Sequence, residues 1–238
     1  MGLVTIADDL VRELRRLRFA PPVECVYSPL EYAREAHAEY VKRYGSGRKE
    51  VVLLGMNPGP WGMAQTGVPF GEVNLVRDWL KIEGRVDRPN PEHPARRIDG
   101  FDCRRSEVSG ARLWGWARDT FGTPKRFFKR FFVANYCPLI FLEASGRNRT
   151  PDKLPARERD MVEAACDEAL RRTVDHLGPR FVIGVGNFAE RRAHAALAGS
   201  DVTIGRIPHP SPANPLANRG WAAQATKALR QLSVSLPK

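Results

Sequence analysis

The sequence predicts a three-layer α/β/α fold around a central four-stranded parallel sheet. Three observations predict it. Four short apolar runs have strand length, and the segments between them carry helical periodicity, the pattern of parallel strands joined by right-handed crossovers. Two of those runs feed directly into motifs crowded with Gly and Pro, residues that hold backbone in tight shapes near ligands. In open α/β sheets, ligands sit beyond strand C-termini. A length of 238 residues with 42% apolar composition suits one domain, 1–238.

In chain order, Ile6, Leu10, Leu14 and Leu17 recur at helical spacing, between Asp8-Asp9 and Pro21-Pro22, and place a helix over 3–19. A second helix opens at Ser28-Pro29, serine capping and proline in the first turn, and closes near Gly45. Val51-Val52-Leu53-Leu54 is short, continuous and partly β-branched, a buried parallel strand. Val73 to Leu80 reads as a helix. From about Gly84 to Gly110 runs a polar connection carrying Arg85, Arg88, Arg96, Arg97, Arg104 and Arg105. Such long irregular connections are usually functional or mobile. Ala111 to Phe121 returns to helix. Phe131-Phe132-Val133-Ala134 is the second strand, ending at Asn135. A long helix follows over Glu158 to Leu177, with apolar Met161, Ala165, Ala169 and Val174. Phe181 to Val185 is the third strand and Asn187 to Leu197 its helix. Val202-Thr203-Ile204 leads through Gly205 to Ile207 as the fourth strand, and Trp221 to Leu232 closes the chain as a helix.

The formal charge of +11, from 38 Lys and Arg against 27 Asp and Glu, favours a polyanionic partner. Cys25, Cys103, Cys137 and Cys166 form no C-x-x-C pair, so free thiols in a reducing compartment are expected, with a cluster assembled from distant cysteines the open alternative. Asp8, Asp9, Arg12 and Glu13 interrupt any signal-peptide core, and no stretch has the apolar length of a membrane span. The expected location is cytoplasmic (nucleoid-associated in a bacterium) or nuclear.

Asn57, Asn135 and His209 each sit at or just after a strand end. One such Asn forms a turn more often than it catalyses. Parallel strands, however, deliver their C-termini to one sheet edge, so three polar side chains there make a convergent set.

The run Gly55-Met56-Asn57-Pro58-Gly59-Pro60-Trp61-Gly62-Met63-Ala64-Gln65-Thr66-Gly67-Val68-Pro69-Phe70-Gly71-Glu72-Val73 resembles the first motif of the single-strand-selective monofunctional uracil-DNA glycosylases, a branch of the uracil-DNA glycosylase superfamily. His209-Pro210-Ser211-Pro212-Ala213-Asn214 is similar to the second. Ser106 to Arg112, Asn135 to Leu139, Ser145 to Asn148 and Asn218 to Trp221 resemble further stretches, and coverage runs from about Ser28 to Leu232. The resemblance implies a uracil-DNA glycosylase-like fold and hydrolysis of the bond joining uracil to deoxyribose, in single-stranded and duplex DNA, with water as nucleophile. It implies no metal or organic cofactor, DNA as partner, no membrane association and a monomer.

Carried onto this sequence, the resemblance makes Asn57 the residue that orients the water and His209 the donor to the uracil oxygen that gains charge. Asn135 reads the base, Phe70 stacks on it, and Met56 and Gly59 line the pocket near the pyrimidine 5-position. Gly59 stands where the better-known branch has tyrosine, which implies tolerance of 5-hydroxymethyluracil. Pro210, Ser211, Pro212, Ala213 and Asn214 form the DNA-binding wedge, with Ala213 where some relatives carry arginine. Arg96, Arg104, Arg147 and Arg149 are candidate phosphate contacts. The rival readings are a glycosylase directed at deaminated purines such as xanthine or hypoxanthine, and a DNA-binding α/β protein without catalysis.

Overall fold

The computed structural model describes residues 2–215 and 217–237. Helix α1, Leu3–Leu14, buries Leu3, Ile6 and Leu14 and stops short of the expected residue 19, the chain leaving through a turn at Arg15 and Arg16. Strand β1, Val23–Tyr27, follows the two prolines. The helix expected from Ser28 to Gly45 is two: α2, Pro29–Tyr32, and α3, Arg34–Tyr44, broken where Ala33 leaves helical geometry. Proline does occupy the first turn, but the Ser28 side chain makes no cap hydrogen bond.

Four strands form the parallel sheet: β2 (Val51–Gly55), β3 (Phe131–Asn135), β6 (Phe181–Val185) and β7 (Thr203–Ile207), in the order β3-β2-β6-β7. Every residue of β2 and β6 is buried, as expected for central parallel strands covered on both faces. Register pairs Gly55 with Asn135 and Leu54 with Gly184, while Val185 lies opposite Ile207. The chain adds β3 on one side of β2 and then crosses to add β6 on the other. That reversal of strand order opens a crevice beyond the strand C-termini.

A second, antiparallel sheet is absent from the sequence-based expectation. It joins β1 to β4 (Ile140–Glu143) and β4 to the two-residue β5 (Asn148–Arg149), with Tyr27 opposite Ile140. Between β2 and β3 lie α4 (Met63–Thr66), a π-helical turn over Leu75–Trp79 in place of the helix expected from Val73 to Leu80, and α5 (Val108–Phe121). Helix α5 starts three residues before the expected Ala111, because the Glu107 carboxylate caps it, accepting from the Ser109 and Gly110 amides at 3.1 and 2.5 Å. A short α6, Pro124–Phe128, also escaped the sequence reading; Thr123 caps it. The remaining helices are α7 (Ala156–Leu177), α8 (Asn187–Ala196) and α9 (Trp221–Gln231). Among the described residues, no helix is long and apolar enough to cross a membrane.

Candidate active site

Gly55 is where the two segments of the pocket meet. A Cβ there would lie 2.3 Å from the Asn135 Oδ1 and 2.7 Å from the Phe70 ring, so only glycine lets both side chains close over the end of β2. The Phe70 ring in turn lies 6.3 Å from the His209 imidazole, tilted by 44°. The structure therefore brings Asn135, Phe70 and His209 together, with Asn57 two residues beyond Gly55.

Each polar group is oriented by backbone. The Asn57 amide Nδ2 donates to the Leu139 carbonyl at 3.2 Å, which leaves Oδ1 as the side chain's acceptor. The Ser211 amide donates to the His209 Nδ1 at 3.0 Å. A neutral ring accepting at Nδ1 carries its hydrogen on Nε2. Burial lowers the His209 pKa below its ordinary 6.5, so the imidazole is a neutral Nε2–H donor at physiological pH. Asn135 donates from Nδ2 to the Met63 sulfur at 3.2 Å. Sulfur is a weak acceptor, so this contact steers the amide while holding its N–H only weakly. Met63 was not singled out from the sequence. Its signal was its place in the same motif, two residues after Trp61. The expected Met56 is half-buried and packs on the core.

Phe70 is held in the left-handed region at φ 53°, a conformation costing a bulky residue about 1–3 kcal/mol. Its surroundings enforce it. The Phe70 carbonyl accepts from the Glu72 amide at 2.8 Å, the Trp114 indole donates to Pro69 at 3.2 Å, and a Cβ on Gly110 would sit 2.0 Å from the Phe70 oxygen. Packing on this scale over-determines the strained conformation.

Asn135 is steadied from behind. The Tyr136 and Cys137 amides donate to Gly55 and Met56 carbonyls at 2.9 Å, extending the ladder past the strand. The Tyr136 hydroxyl donates to Asp167 at 2.6 Å and accepts from Arg192 Nε at 3.1 Å, while Arg192 also bridges Glu163 and Asp167 at 2.8 and 2.5 Å.

The arm from Pro208 is fixed at several points. The Trp221 indole donates to Pro208 at 2.7 Å, the Asn214 side chain to the His209 carbonyl at 2.8 Å, and Arg112 to the Pro210 carbonyl at 2.8 Å. Pro212 and Ala213 are exposed at its tip, and Pro210 is buried at its base. Around Gly59 there is room: a Cβ would make only ordinary contacts with Glu107, at 3.7–3.8 Å. Burial raises the Glu107 pKa, partly offset by the two amides it caps. Of the arginines offered for phosphates, Arg149 is instead engaged with Glu143 at 2.9 Å inside the small sheet.

Comparison with known proteins places these motifs. The profile of the uracil DNA glycosylase superfamily matches residues 42–232. The single-strand selective monofunctional uracil-DNA glycosylase of Rattus norvegicus is 54% identical over 224 residues, covering 93% of this chain and 81% of that protein. Its Bos taurus counterpart is 53% identical, covering 93% and 82%. Among solved structures, Pedobacter heparinus SMUG2 superposes with a TM-score of 0.65 over 97% of this chain and 99% of its own, at 19% identity, a likeness of fold.

Proposed function

The chain belongs to the uracil-DNA glycosylase superfamily, in its single-strand-selective monofunctional branch, and from that premise we propose how its residues remove uracil from DNA. The C1′–N1 bond breaks with its electron pair moving into the base, leaving positive charge on the sugar. His209 Nε2–H donates to the uracil oxygen that gains negative charge. Preorganised donors of this kind contribute about 2.7–4 kcal/mol to lowering a barrier. A water held by the Asn57 Oδ1 adds to C1′ and releases its proton to solvent. Asn cannot be a strong base, and a sugar already close to a cation needs only a positioned nucleophile. The product is an abasic site.

Asn135 selects the base. Its amide donates to a uracil carbonyl and accepts from the ring N–H, whereas cytosine presents the opposite pair, and such mismatches, once a bound base covers the half-buried amide, reject an analogue by about 10⁴ or more. Phe70 stacks on the extruded ring, whose exit from the helix costs a few kcal/mol, less in single strands. The Pro210–Asn214 arm meets the DNA beside it. The space at Gly59 extends the substrate range to 5-hydroxymethyluracil.

The observation that carries this reading is the Phe70 ring set between the His209 imidazole, whose Nδ1 accepts from the Ser211 amide, and the Asn135 side chain at the end of β2. Purified protein incubated with uracil-containing single strands and mismatched duplexes, without added metal and with chelator, should yield strands that break on alkali treatment. Intact strands would defeat the proposal.

A further inference from the structure

Trp61 leaves the first motif four residues after Asn57, so its Cα lies within about 14 Å of that of Asn57. Two guanidiniums rest on its ring: Arg105 with Cζ 4.4 Å from the centroid, and Arg96 with Cζ 5.5 Å away. Neither arginine forms an ion pair among the described residues, nor do their neighbours Arg97 and Arg104. Elsewhere on the surface arginines are commonly paired, as Arg85 is with Asp87 and Arg118 with Asp119. Arg96 Nε is also buried without a hydrogen-bond partner. Beside the tryptophan lies an open depression of about 710 Å³, lined by Trp61, Arg97, Arg104 and Arg105 and holding Asp99 and Asp102 on its wall.

The geometry has a chemical consequence. Cation–π contact uses the face of a guanidinium, while its five N–H donors lie in the plane and point from its edge. The ring therefore holds both groups in place: the exposed Arg105 keeps its donors for an anion, while Arg96, whose Nε is buried and whose Nη1 donates to the Ala95 carbonyl at 2.9 Å, offers Nη2. Planar, edge-on donation is the arrangement that takes two phosphate oxygens at once. A carboxylate partner would instead have occupied those donors. The segment is also tied to the pocket rim: a Cβ on Gly146 would sit 3.2 Å from His93 and 3.5 Å from the Arg96 side chain, and Asn148 in the same turn donates to the Pro58 carbonyl at 3.2 Å.

We infer that Arg96 and Arg105, mounted on Trp61, form a clamp for the DNA backbone phosphates a few nucleotides from the extruded base. The inference rests on the glycosylase reading, since that reading puts DNA across this face. In the clamp Trp61 is a positioning residue, and the two arginines make the contacts.

The test uses the whole protein and two readouts. Binding to an undamaged single-stranded oligonucleotide is measured against salt, and excision from a uracil strand is measured at saturating enzyme. Each phosphate contact on a single strand contributes about 0.7 to the slope of log affinity against log salt. Arg96→Gln with Arg105→Gln should lower the slope by about 1.4 and weaken binding about tenfold at moderate salt, with the saturated excision rate within about twofold of the parent. The exposed Arg105→Gln alone should remove about 0.7 of the slope. Trp61→Ala should weaken binding and Trp61→Phe restore it. Replacing single phosphates near the uridine by neutral methylphosphonates should weaken the parent at one or two positions and leave the double variant indifferent there. An unchanged slope, equal methylphosphonate penalties in both proteins, or identical binding by Trp61→Ala and Trp61→Phe would overturn the clamp. Because the strand used for the salt slopes and the Trp61 comparison holds no uracil, those results bear on the clamp, whereas absence of excision by the parent bears on the proposed reaction.

Discussion

At the scale of single residues, the chemistry depends on which atoms are left to work once the backbone has claimed the others. Ser211 holds the Nδ1 of His209 and Leu139 holds the Nδ2 of Asn57, so a donor remains on one side and an acceptor on the other. Asn57→Ala and His209→Ala should each slow single-turnover excision by about two orders of magnitude, or about 2.7 kcal/mol; rates within threefold of the parent would remove those roles. Asn135→Asp should alter the choice between uracil and cytosine while leaving DNA affinity near the parent value, checked by competing oligonucleotides. The pH dependence has a definite sign. Burial depresses the pKa values of His209 and of His37, which is held at Gly67, so folded protein keeps both rings neutral where the unfolded chain would protonate them. Stability should be full above about pH 6.5 and fall as pH drops from there toward the folded pKa values, read as the urea midpoint against pH. Asn57, Phe70, Asn135 and His209 were named from motif position, and the structure sets Phe70 beside both Asn135 and His209. Their partners were not: Met63, Leu139 and Ser211 act through a sulfur, a carbonyl and an amide, and such contacts depend on turn geometry that spacing does not reveal.

At the scale of elements, β2 and β3 position the Asn135 amide by pairing Gly55 with Asn135 and continuing that ladder through Tyr136. Gly55→Ala should preserve the far-UV spectrum and lower excision by about two orders of magnitude, because the new methyl displaces the Asn135 amide and the Phe70 ring. Arg192 joins α8 to Glu163 and Asp167 on α7, with both carboxylates and the guanidinium largely shielded. Arg192→Met leaves two carboxylates without their counter-charge and should cost about 3–5 kcal/mol in urea unfolding. Three of the four parallel strands were legible as apolar runs, such as Phe181 to Val185, whereas the edge strand Thr203–Ile207, which carries Thr203 and Arg206, was read from the way it leads into His209. The small sheet was not. Strand β1 interrupts its apolar residues with Glu24, and its partner β4 lies more than a hundred residues away, so only tertiary pairing declares either a strand. The split of the second helix at Ala33 was likewise hidden, since alanine favours helix, yet the backbone there stands at φ −109° and ψ 30°.

At the scale of the whole molecule, the excess of positive charge meets a polyanion, and affinity for DNA should fall steeply and linearly with log salt. The fold gathers this chemistry at one sheet edge because β2, β3 and β7 run in the same direction and end together. The central claim is that a swung-out uracil enters the space bounded by Phe70, Asn135 and His209 with its oxygen on the imidazole. The most direct measurement is a crystal structure of the Asn57→Ala variant with a uracil-containing oligonucleotide. The account predicts the base stacked on Phe70, its ring N–H and a carbonyl on the Asn135 amide, and another carbonyl within hydrogen-bond distance of His209 Nε2. A uracil still stacked in the DNA strand, or seated with its carbonyls away from both Asn135 and His209, would contradict it.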